Sequence, residues 1–216
     1  MIDLVIVSNA LDQDRKHITE TAMLTASVDP MVGNIVVVEQ QAHIYYNGAE
    51  TVHYDFSFNY HKCLNLGIEY TDAEYIALCN NDLVFSFNWA TKMLEGMNGY
   101  LSASPWSENV HGIFWGGVTY DPVGWDARSI IAGWCIVVHE SVLEKIGKLH
   151  EGVKFWYSDN VYAAQIKKAG IQHILVRDSR VEHLETRTLA GHPLLSEYTG
   201  GQFENYQNVL NEINNL

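Results

Sequence analysis

Apolar residues fall along the chain in short blocks, each closed by polar ones. Ile2 to Val7 runs into Ser8-Asn9, Ile35 to Val38 into Glu39, and Tyr75-Ile76-Ala77-Leu78-Cys79 into Asn80-Asn81-Asp82. Mostly unbroken apolar runs of this length predict strands buried on both faces. Between them the spacing predicts helices. Residues 12 to 27 carry Ile18, Ala22 and Thr25 on one face, with Asp12 as a cap and Asp29-Pro30 as the break. Residues 58 to 70 and 87 to 97 read the same way, the latter sending Trp89, Met93 and Leu94 inward, and Val52-His53-Tyr54 is a short strand. Strands alternating with helices imply an α/β fold with a parallel sheet covered on both faces.

The second half is less regular. Residues 99 to 128 hold Tyr100, Trp106, Phe114, Trp115, Tyr120 and Trp125 among glycines and serines. They fit irregular strands and loops lining a pocket, or the core of an antiparallel hairpin. Ile130 to Val138 is an apolar run, and Glu140 to Ile146 a helix ended by Gly147. A helix begins near Ser158-Asp159, either of which suits its cap, and stops at Gly170. Ile171 to Val176 is a strand, followed by an edge that closes in Val181-Glu182-His183-Leu184. Residues 185 to 200 read as a loop, and a last amphipathic helix carries Phe203, Tyr206, Leu210 and Ile213.

A chain of 216 residues suits one domain, 1–216, with 185–216 as its C-terminal loop and helix. The net charge of −13 argues against a polyanion partner, and Lys145, Lys148, Lys154, Lys167 and Lys168 read as a solvated helix face. Cys63, Cys79 and Cys135 lack a C-x-x-C spacing and read as reduced core residues of a cytoplasmic protein. Asp3 interrupts the opening apolar run, so no secretory leader is expected, and no run approaches a membrane span.

Polar residues at the ends of buried strands lie at the sheet's carboxyl edge, where open α/β sheets bind ligands. Ser8-Asn9 suits a ligand-facing turn, and Asn80-Asn81-Asp82 places a carboxylate at the same edge; a plain polar turn would look alike. Asp82, Asp159 and His183 each follow or close an apolar run. A carboxylate and an imidazole can hold a divalent cation, Mg²⁺ or Mn²⁺, against a diphosphate, and a second carboxylate can take a proton.

The order of these segments over residues 2 to 184 resembles the GT-A glycosyltransferases, in particular the family 2-like, rhamnosyltransferase-type branch. Val7-Ser8-Asn9, Glu39, Asn65-Leu66-Gly67-Ile68, Asn80-Asn81-Asp82, Ala132-Gly133-Trp134-Cys135, Ser158-Asp159 and Val181-Glu182-His183-Leu184 carry the resemblance. Two positions depart from the family pattern: Asn80 replaces the first acid of the metal motif, and Ser158 the first of an acidic pair.

The resemblance implies a Rossmann-like, mixed and mostly parallel sheet flanked by helices. It implies an inverting transferase using a nucleoside-diphosphate sugar, with uridine as the expected nucleoside. Ser8, Asn9, Glu39, Asn65, Asn80 and Asn81 would bind donor. Asp82 and His183 would hold Mn²⁺ or Mg²⁺, and Asp159 would be the base. Trp115, Trp125 and Trp134 would offer the acceptor a stacking platform, and residues 185 to 201 a lid with Arg187 and His192. The expected acceptor is soluble: a glycan, a protein hydroxyl, or a hydroxymethylated DNA base as in phage-type enzymes. A relative that binds nucleotide sugar without turnover is the alternative.

Overall fold

The computed structural model describes residues 1–184 and 201–215. Nine strands form one mixed sheet in the order β3-β2-β1-β4-β8-β6-β9-β5, with β7 beside β9. The first four strands on this path, β3 (Glu50–His53), β2 (Val32–Glu39), β1 (Ile2–Ser8) and β4 (Tyr75–Asn80), are parallel, as the alternating strand and helix pattern requires. Antiparallel pairing enters where β8 (Cys135–His139) joins β4 and β6 (Ser102–Trp106). The long β9 (His173–His183) then runs parallel to β6 and antiparallel to β5 (Leu83–Phe85) and β7 (Val123–Gly124).

Alternate residues of the central strands face opposite ways, so two cores form. Leu4, Ile6, Val37, Ala77 and Val137 pack beneath α1 (Gln13–Ala26) and α3 (Trp89–Met97), with Trp89, Met93 and Met97 fully inside. Val5, Val7, Val36, Leu78 and Val138 face α2 (Tyr60–Ile68), α5 (Glu140–Ile146) and α6 (Ser158–Lys168). Gly67 explains part of the Asn65-Leu66-Gly67-Ile68 segment. A Cβ there would lie 2.3 Å from Val5 Cγ1 and 2.8 Å from Val38 Cγ2, so only glycine lets α2 approach the sheet this closely.

Three expectations change. Residues 108 to 115 of the aromatic stretch form a helix, α4 (Glu108–Trp115), hidden in the sequence by Gly112 and by aromatics at no helical period. Of the Ile130–Val138 run only the end is a strand. The face of the last helix, α7 (Gln202–Asn215), is also rotated: Val209 and Ile213 are buried and Tyr206 packs beside them, while Phe203 is exposed. Asp12 does cap α1, accepting the Arg15 N–H at 2.9 Å. The three cysteines are buried and unpaired by disulfides. Among the described residues no helix is long and apolar enough to cross a membrane. The lid segment with Arg187 and His192 lies outside the described residues.

Candidate active site

Strand register gathers the site. β1 and β2 align Ser8 with Glu39, and β1 and β4 align Val7 with Asn80, so three strand ends share the carboxyl edge. The chain leaves β4 at Asn80, turns through Asn81-Asp82 and enters β5. Leu83 pairs with His183 of β9, and the Leu184 N–H donates to the Asp82 carbonyl at 2.9 Å. That pairing brings residues a hundred positions apart into one place. His183 Nε2 lies 3.4 Å from Asp82 Oδ1.

The edge opens into a cleft of about 210 Å³. Its polar lining includes Asn9, Asn80, Asp82, Ser158, Asp159 and His183, with Trp134 beside His183. Phe58, Tyr60, Phe155, Trp156 and Tyr157 complete the wall. Among the described residues no lysine or arginine lines it.

Asp82 is buried, and its Oδ1 has no hydrogen-bond partner among the described residues. An unpaired buried carboxylate oxygen is costly unless a cation answers it. The imidazole beside it is the one candidate ligand near enough. Two ligands at about 2.1 Å on adjacent octahedral positions stand about 3 Å apart, close to the observed spacing. One oxygen and one nitrogen donor suit Mn²⁺ or Mg²⁺ completed by diphosphate oxygens. Among the described residues no third acid, histidine or cysteine joins the pair. Trp134 fixes the imidazole plane by stacking on it, centroids 5.4 Å apart and planes at 16°. Asn109 of α4 donates to the His183 carbonyl at 3.0 Å.

Asp159 opens α6 without capping it. The cap position belongs to Tyr157, whose backbone is left-handed at φ 69°, and no side chain bonds there. Asp159 Oδ1 accepts the adjacent Asn160 N–H at 2.9 Å. Burial raises the carboxyl above its ordinary range; the Asn160 N–H and the Arg128 guanidinium oppose the shift without cancelling it. Gly133 makes room for the acid: a Cβ at Gly133 would lie 2.7 Å from Asp159 Cβ. Gly133→Ala should displace the Asp159 side chain and cost about 1–3 kcal/mol of stability, the usual size for overpacking, as read by calorimetry.

Other expected donor contacts are placed differently. Glu39 is fully buried and outside the cleft lining. It accepts the Ala10 N–H at 3.1 Å, the Gln41 N–H at 2.9 Å and the Tyr46 hydroxyl at 2.8 Å. The Ser8 hydroxyl bonds Thr19 and Tyr46 at 3.0 Å each, and Asn81 donates to Thr19 at 3.0 Å. These bonds shape the turn at the strand ends, and Ser8 and Asn81 line the cleft with Asn80 and with Asn9, which accepts from Gln41 at 2.9 Å. Asn65 lies away from it, bonding both backbone groups of Leu149. Glu39→Ala should cost about 3 kcal/mol, the size expected for losing a buried, hydrogen-bonded carboxylate. Denaturant melts read that loss; a base-reading Glu39 would instead weaken donor binding at unchanged stability.

Of the three tryptophans only Trp134 lines the cleft. Trp115 packs by Trp106 and Ile130 and donates to the Ser129 carbonyl at 2.5 Å. Trp125 donates to the Ile171 carbonyl at 2.7 Å with Lys167 over its ring. Each spends its N–H on a remote carbonyl, which anchors it outside. The aromatics that do line the cleft, Phe155-Trp156-Tyr157, were visible as a run directly before Ser158-Asp159.

The fold is that of the GT-A glycosyltransferases. A crystal structure of GalNAc-T7 with UDP, GalNAc and Mn²⁺ is similar to it, with a TM-score of 0.69 over 98% of this chain. Sequence identity is 13%, so the likeness is one of fold. The chain spans about half, 47%, of that structure's chain. No protein-family model and no curated protein matches the sequence.

Proposed function

We propose that the protein is a metal-dependent glycosyltransferase that moves a sugar from a nucleoside-diphosphate donor, UDP-linked, to an acceptor hydroxyl with inversion. One observation carries the reading: Asp82, whose buried Oδ1 has no hydrogen-bond partner among the described residues, His183 3.4 Å from it, and the desolvated carboxylate of Asp159 line one cleft. The fold neighbour was crystallised with UDP and Mn²⁺, which supports the choice of both. The family 2-like placement rests on the order of motifs in the sequence.

Asp82 and His183 would hold Mn²⁺ or Mg²⁺. The ion would supply charge to offset the leaving diphosphate. Its role is sharpened because, among the described residues, no lysine or arginine lines the cleft. Asn9 and Asn80 would contact the donor from the strand ends. Asp159 would accept the proton of the acceptor hydroxyl as that oxygen attacks the anomeric carbon and the bond to the diphosphate breaks. Among the described residues the cleft holds two carboxylates, Asp82 and Asp159, which fits single displacement with one acting on the metal and one as base. Trp156 and Phe155 beside Asp159 would take the acceptor ring by stacking, together with Trp134. The net charge of −13 favours a soluble glycan or protein hydroxyl over duplex DNA.

The test is a panel of nucleotide sugars with Mn²⁺, reading free nucleoside diphosphate with and without chelator. Metal-dependent release from one donor is expected. Donor binding that ignores metal would overturn the site.

A further inference from the structure

The C-terminal helix α7 has no residue in the cleft, yet it ends up against the turn that delivers Asp159. Val209 and Ile213 bury against Val153 and Val161 of the preceding loop and α6. Gln202 accepts the Lys154 N–H at 2.9 Å, and Glu212 pairs with His150 at 3.2 Å. These contacts seat the helix along residues 150 to 161.

Tyr206 then stacks flat on Tyr157, with centroids 4.9 Å apart and planes at 7°. Phe203 meets the same ring edge-on at 6.0 Å. Tyr157 is the left-handed residue from which α6 starts, two positions before Asp159. A tyrosine resists that backbone conformation, so something outside the turn must hold it. The ring stack is the contact that does so. Burial raises the Tyr206 phenol above its ordinary value, and the nearby Asp159 and Tyr157 add to the shift.

We propose that α7 is the brace of the proposed base: Tyr206, stacked on Tyr157, is a positioning residue that holds the left-handed turn and so aims Asp159 past Gly133 into the cleft. The inference rests on the glycosyltransferase reading for its consequence and on geometry alone for the brace. It makes activity depend on a helix that follows residues 185–200 in the chain and contributes nothing to substrate contact. The groups facing Asp159 are the Asn160 N–H from α6, Arg128 from the 126–131 loop and Tyr206 from α7.

Two readouts test it on the full chain. In donor turnover with Mn²⁺, Tyr206→Ala should lower kcat about 10- to 100-fold at unchanged donor KM and metal requirement, while Tyr206→Phe, which keeps the stack, stays within about twofold. In carboxyl-carbon NMR, Asp159 should titrate at lower pH in Tyr206→Ala than in wild type, because opening the turn hydrates the acid. Tyr206→Leu, which keeps apolar bulk without a stack, should follow the alanine variant and covers the case that alanine unfolds α7. A helix needed only for stability would lower Tm while leaving kcat per folded molecule and the Asp159 titration in place, and that result overturns the brace. A wild type that turns over no donor overturns the glycosyltransferase reading instead, and the NMR titration then decides the brace by itself.

Discussion

Asp159→Asn is expected to lower transfer by about 10² to 10⁴-fold, the usual worth of a positioned base. The change is nearly isosteric, so metal and donor binding should stay within about twofold. Stability should move the other way. Burial raises the folded-state pKa of Asp159 above its unfolded value. The stability tied to its protonated form is full below the unfolded pKa and is lost as pH rises through the folded one. At neutral pH the ionised acid is therefore a burden, and the amide should raise Tm by roughly 2 to 4 °C. The same sign governs activity: wild-type turnover should fall on the acid side as Asp159 protonates, and Arg128→Gln, which removes the cation opposing that protonation, should move this limb to higher pH. Retained turnover in Asp159→Asn would remove the residue from the role of base, and a lower Tm would remove the burial argument.

How far the chain could be read depended on the distance over which each feature is decided. The parallel half was legible because buried strands write themselves as apolar runs: Ile2–Ser8, Val32–Glu39 and Tyr75–Asn80 lie where those runs fall. Asp82, Asp159 and His183 stood out because each closes or follows such a run. What joins Asp82 to His183 is the pairing of Leu83 with His183 across β5 and β9, a three-residue strand against the end of an eleven-residue one. Nothing local in either segment states that partnership. α4 escaped because Gly112 and its aromatics follow tertiary demands, Trp106 and His111 packing inward while Ile113 and Phe114 face out. Glu39 shows the opposite limit. Its position at a strand end was correct, and its role turned on three donors, Ala10, Gln41 and Tyr46, that only the folded turn assembles. The tryptophans were judged by type, whereas where each N–H finds its carbonyl decides whether a ring reaches the cleft.

Asp82→Ala is expected to remove the metal-dependent part of donor affinity, weakening UDP binding in Mn²⁺ about 100-fold. The folded apo protein should lose little stability, since the substitution deletes a buried oxygen that no described residue satisfies. Asn80 in place of an acid sharpens this expectation. The described residues offer the proposed site one carboxylate and one imidazole, too few to hold the ion tightly, so the diphosphate is expected to complete it. Metal and nucleotide should then bind with mutual support, each tightening the other by the same factor. In thermal-shift titrations of wild type, Mn²⁺ alone and UDP alone should each raise Tm slightly, and both together by more than the sum. In Asp82→Ala the two should merely add. His183→Ala should give an intermediate result, because the carboxylate still offers a charge while the imidazole held by Trp134 is gone. If wild type shows simple additivity, Asp82 and His183 are a structural ion pair, and the charge of a leaving diphosphate must be met from outside the described cleft.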